Sequence, residues 1–120
     1  MGYDAEVKAM IGIQLPRYFR KTRTTKYNVD TGIPYLLEQE VAVYVFGDKE
    51  YGYGDIWNVD FGGLYIESDG ESGSAYVGMP VSTATSLETI QRAWKEVKET
   101  LVQLGCLEVV KLHVFLYESY

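Results

Sequence analysis

Between Leu87 and Leu104 the apolar residues Leu87, Ile90, Trp94, Val97, Leu101 and Leu104 recur at alternating steps of three and four. That is one stripe on an α-helix. Elsewhere the apolar residues recur every second position, so the chain has one helix with which to cover a sheet. A single helix covers a single face, and this limits the fold more than any other feature. Thr85 with Glu88 fits a capping box, which starts the helix near Ser86. Glu88 with Arg92, Arg92 with Glu96 and Lys95 with Glu99 stand four residues apart on the opposite, solvated face. Gly105 supplies the left-handed residue that ends a helix, and Cys106 folds back on Leu101 as an apolar plug.

Alternation marks the strands. Val7, Ala9, Ile11, Ile13 and Leu15 alternate with Glu6, Lys8, Met10, Gly12 and Gln14, a strand with one face buried. A second runs to Phe46 with Leu37, Val41, Val43 and Val45 on one side. In residues 56–67 the apolar parity flips at Gly62-Gly63, which predicts one strand carrying a β-bulge. A turn over Ser68–Gly73 leads to a strand with Ala75, Val77, Met79 and Val81. After the helix, VVKLHVFLY is apolar on both sides, so the last strand is either internal to a sheet or paired with another chain. The expectation is an α+β fold over 1–120 as a single domain: a mostly antiparallel sheet of about five strands, ordered β-β-β-β-α-β, with one long helix on one face.

The parities place Ile11, Ile13, Val43, Val45, Trp57, Phe61, Leu64, Val77, Leu112 and Val114 beneath the helix. The other face then carries Met10, Tyr44, Phe46, Tyr65, Tyr76, His113, Phe115 and Tyr117, with Lys8, Glu38, Glu40 and Lys111 among them. So aromatic a face marks a contact surface, and Tyr44, Tyr65, Tyr76, His113, Phe115 and Tyr117 form the expected dimer face. Tyrosine's preference for strands is the plainer explanation of the same residues.

Charge is distributed unevenly in a chain of net charge −6. Arg17 to Tyr27, RYFRKTRTTKY, holds five cations and precedes a turn composition, Asn28–Gly32. It reads as a hairpin arm pairing with Ile33–Gln39, its basic residues Arg20, Lys21, Arg23 and Lys26 on both sides and therefore exposed. Asp48–Glu71 carries seven acids against Lys49 alone. Strand rise places this region roughly 25 Å or more from the arm, beyond a Debye length of about 8 Å, so the two clusters are expected not to neutralise each other.

These patterns exclude more than they identify. With one His and one Cys the usual zinc sets are absent, no phosphate-loop or nucleophile-elbow motif occurs, and neither metal nor cofactor is expected. Glu67, Asp69 and Glu71 alternate like hard-cation ligands, but a hairpin turn accounts for them. No run of about 20 apolar residues suggests a membrane span, and the single cysteine without a secretory leader suggests a cytoplasmic protein. The functional expectation is a small acidic binding protein acting by protein–protein interaction. It is an inhibitor or adaptor whose acids mimic a nucleic acid's charge, with Tyr51 and Tyr53 anchoring a partner and Asp48, Glu50, Asp55 and Asp60 steering it. Self-association as a homodimer accompanies it. One alternative is nucleotide or nucleic-acid binding through the arm, with Tyr18, Phe19 and Tyr27 stacking on bases; another is an enzyme using His113 as a base.

Overall fold

The computed structural model describes residues 4–69 and 73–119. In chain order the elements are β1 (Asp4–Gln14), β2 (Arg17–Tyr27), β3 (Pro34–Phe46), β4 (Lys49–Gly52), α1 (Tyr53–Ile56), β5 (Tyr65–Ser68), β6 (Ala75–Val81), α2 (Leu87–Gln103) and β7 (Lys111–Ser119). The α+β, antiparallel character stands. The single five-stranded sheet does not: among the described residues seven strands form a four-stranded sheet, β5-β6-β1-β7, and a three-stranded sheet, β2-β3-β4.

The division falls at Leu15-Pro16. Gln14 is opposite Tyr76, and the Leu15 N–H bonds the Ala75 carbonyl at 2.9 Å, which ends the pairing with β6. Proline has no N–H to continue a ladder, but the Pro16 carbonyl accepts from Val45 N at 2.8 Å, and Arg17 then lies opposite Tyr44. One nearly continuous extended segment, Asp4–Tyr27, therefore changes partners midway and belongs to both sheets.

The main core lies where the sheets meet under α2. It comprises Ile11, Ile13 and Leu15 of the long segment, Ala75 and Val77 of β6, Val97 and Leu101 of α2, and also Tyr44, Phe46, Ile56, Phe61 and Leu64. Tyr44 and Phe46 were expected on the open face and are buried instead. Because β3 belongs to the second sheet, its even-numbered side turns into the junction; Val43 is buried too, so both sides of this strand end are covered. Phe46 meets Phe61 edge-on at 4.9 Å, and the Tyr44 hydroxyl donates to the Gly73 carbonyl. Conversely, Leu112 and Val114, expected under the helix, are exposed.

Residues 56–67 are not one bulged strand. Ile56 closes the short α1, and Gly62 and Gly63 have φ of 66° and 92°. Successive positive φ values make a tight turn, closed by Leu64 N to Phe61 O at 3.2 Å. The flip in parity records that turn, which buries Phe61 and Leu64 together, and pairing begins only at Tyr65. The sequence pattern also gave no sign of β4, which returns along β3 through Gly47-Asp48 with Gly47 at φ 64°. The expected turn over Ser68–Gly73 lies partly outside the described residues.

Helix α2 is capped by Ser86 rather than by the Thr85–Glu88 box. The Ser86 hydroxyl oxygen accepts from Thr89 N at 3.2 Å, while Thr85 Oγ1 accepts from Ser82 N in the preceding turn. At the other end Gly105 has φ 83°, Gly105 N donates to Val102 O, and Cys106 N donates to Leu101 O at 2.8 Å. This is the Schellman arrangement, and it carries Cys106 into the core beside Leu101.

Candidate functional site

The β2–β3 pair forms the expected hairpin, in register from Arg17 opposite Tyr44 to Tyr27 opposite Pro34. Beyond β4, which reaches only Val43, β3 pairs with β2 alone, so a two-stranded ribbon projects from the body. Its tip is fixed locally: Asn28 Oδ1 accepts from Asp30 N and Thr31 N at 2.9 and 3.0 Å, and Gly32 turns the chain with φ 71°. The tip is nevertheless apolar. Val29 is 97% exposed, Leu36 69% and Ile33 62%, with Tyr27 and Tyr35 beside them.

The charges of the arm are largely answered. Lys21 and Arg23 lie on one side of the ribbon, opposite Glu40 and Glu38, and both pair with Glu38 at 3.7 and 3.3 Å. Arg20, on the other side, meets Glu50 at 3.2 Å. The expected separation of basic arm from acidic region therefore fails at the ribbon's base, because the unforeseen β4 folds Glu50 back toward Arg20. Tyr18 accepts from the Arg20 guanidinium at 2.9 Å and, with Glu50 adding its charge, holds Arg20 above its ordinary range. Of the four arm cations, only Lys26 has no carboxylate within 4.0 Å among the described residues. Over 17–46 five cations face Asp30, Glu38 and Glu40, a net +2. Such a ribbon offers few uncommitted cations to a phosphate backbone.

In the acidic loop the expected partner-binding residues separate. Glu50 is engaged by Arg20, and Asp60 Oδ1 accepts from Gly62 N at 2.9 Å, holding the glycine turn. Asp48 and Asp55 are exposed. Tyr51 is half-buried against the core, whereas Tyr53 is exposed and packs edge-on to Trp57 at 6.0 Å.

The aromatic face of the four-stranded sheet packs against itself rather than standing bare. Met10, Tyr76 and Phe115 are buried as a second small cluster. Tyr76 stacks on Phe115 at 4.3 Å and 7°, and lies 5.2 Å from His113. Tyr76 is level with Gln14 and Phe115 with Lys8, so their stack is a diagonal contact across β1. Lys8 and Glu67 are joined at 3.2 Å on the same face. Tyr65 remains exposed, and the side chain of Tyr117 lies outside the described residues. Burial, then the charge of Asp69, raises the Tyr76 phenol. Burial chiefly, and Lys111 besides, lowers His113, against a hydrogen bond with the Gly12 backbone; its Nε2 is buried with no partner among the described residues. Among the described residues no serine, cysteine or carboxylate is hydrogen-bonded to that imidazole. Among the same residues no group of three or more His, Cys, Asp or Glu could hold a metal ion, and no helix is long and apolar enough to cross a membrane.

One surface escaped the sequence pattern. β6 ends at Val81, opposite Ala9, so among the described residues Asp4–Val7 of β1 is paired only with β7 and its other backbone edge is open. Beside that edge lies a groove of about 690 Å³ lined by Val7, Ala9, Val81, Ile90, Leu112 and Val114, among others. It opens where β1 runs on past the end of β6 and where Leu112 and Val114 of β7 stand uncovered, and no sequence period reports where one strand stops beside another. Comparison with protein-family models, with curated proteins and with solved structures finds no match.

Proposed function

We infer that this protein works by binding protein chains, itself first among them, as a non-catalytic subunit of an assembly. The observation that carries this is surface. A compact chain of 13.6 kDa exposes about 6,600 Å² by size scaling, whereas this one exposes 8235 Å². Its radius of gyration is 18.3 Å, against about 14 Å for a globule of this length. The excess of roughly 1,700 Å² is about twice what each partner contributes to a standard interface, roughly 800 Å². Exposed apolar side chains stand on strands with open edges: Phe19, Leu36 and Val41 on the ribbon, and Val7, Leu112, Val114 and Leu116 on β1 and β7. Open edges bearing apolar side chains are an aggregation hazard unless another chain covers them.

Sedimentation velocity from about 1 to 200 µM tests the reading. Association that strengthens with concentration is expected; a strict monomer throughout overturns it. Steering by the acidic loop rests on the exposed Asp48 and Asp55. Their replacement by Asn is expected to slow association at low salt, with little change at high salt.

A further inference from the structure

We propose that the groove beside the open edge of β1 receives the tip of the β2–β3 ribbon from a second copy of this chain, an inference that rests on the self-binding reading above. The tip cannot reach the groove of its own molecule. The groove lies at Val7–Ala9 and the tip at Asn28–Ile33, the two ends of the extended segment that crosses both sheets. At about 3.3 Å per residue that segment spans the greater part of the longest dimension, 65 Å.

The two surfaces complement each other in chemistry. The tip presents Tyr27, Ile33 and Leu36, held by a hairpin loop already closed by Asn28, so little ordering accompanies docking. The groove presents Val7, Val81, Ile90 and Val114, and Glu6 and Val7, whose backbone edge is open among the described residues, belong to its lining. An added strand satisfies the N–H and C=O groups of such an edge, and alternate side chains then fill the flanking apolar surface. Charge favours the same pairing. The ribbon region 17–46 carries +2 and the rest of the chain, six cations against fourteen acids, −8; with the Arg20–Glu50 pair counted as neutral these become +1 and −7, so a ribbon is still drawn to a neighbour's body. Because tip and groove are different patches, the contact closes as a reciprocal pair or runs on head to tail.

Site-directed cross-linking decides. Ile33→Cys and Val114→Cys change exposed residues, and Cys106 is buried, so wild-type protein serves as the unreactive control. The variants are mixed and treated with a short bis-maleimide. The expected result is a mixed dimer, joining the Ile33→Cys variant to the Val114→Cys variant through their introduced thiols, in excess of either self-coupled product. Predominant self-coupling of the Val114→Cys variant would show β7 edges meeting across a two-fold axis, and would overturn the inference while leaving self-binding intact. Predominant tip-to-tip coupling, or an oligomer that no pair cross-links, overturns it equally. A wild-type monomer removes the underlying reading instead. As a second measure, Ile33→Ser with Leu36→Ser, checked for native circular dichroism, is expected to weaken association about a hundredfold or more; unchanged association overturns the proposal.

Discussion

Replacing Gly78 with alanine puts a carbon 1.9 Å from the Ile11 carbonyl oxygen and 2.7 Å from Gly12 Cα; Gly12→Ala puts one 2.0 Å from the Val77 carbonyl oxygen. Both obstacles are backbone, so no side-chain rotation relieves them. A carbon and an oxygen settle at about 3.4 Å, which requires β1 and β6 to part by about 1.5 Å, a third of the usual strand spacing of about 4.8 Å. Overpacking of this kind costs about 1–3 kcal/mol, and losing two ladder bonds beside the pair adds about 1 kcal/mol each. The expected loss is about 3–5 kcal/mol, out of roughly 6–18 kcal/mol for a chain of this length. Urea denaturation measures it, as a midpoint lower by about 2 M at a slope near 2 kcal/mol/M. Gly54→Ala is the control: no atom lies within 4 Å of the new carbon, and a change within about 0.5 kcal/mol is expected. Losses under about 1 kcal/mol for both Gly78→Ala and Gly12→Ala would refute the close approach and with it the β1–β6 register.

Ser86→Ala removes the acceptor of the Thr89 N–H bond and is expected to cost about 1 kcal/mol by thermal or urea unfolding. Tyr44→Phe leaves the Gly73 carbonyl without its hydroxyl donor, a loss of about 1–2 kcal/mol in the same measurement. His113 has a folded pKa below its ordinary 6.5, so the unfolded chain binds the extra proton. Its contribution is therefore complete above about pH 6.5 and is lost as pH falls through the folded value. His113→Phe is expected to flatten that part of the stability–pH profile, and an unchanged slope would contradict the assignment. Cys106, buried at the helix end, is expected to react with a thiol reagent only at the rate of unfolding.

The sequence by itself determined the local elements, because their causes are local. The stripe from Leu87 to Leu104 and the stop at Gly105 specify α2; the threonines and cations of Arg17–Tyr27 with the Asn28–Gly32 turn specify the ribbon; alternation specifies β1 and β6. Only the tertiary structure decided which side of each strand faces inward and which strands share a sheet. Alternation distinguishes two faces without saying which is buried, so Tyr44 and Phe46 read as open until the partner change at Pro16 turned them into the junction. The glycine pair at 62–63 was visible, but bulge and turn differ in where the chain goes next, and the burial of Phe61 and Leu64 in a common core selected the turn. The groove and the open edge of β1 depend on β6 ending at Val81 while β1 runs on, a relation between segments some seventy residues apart in the chain.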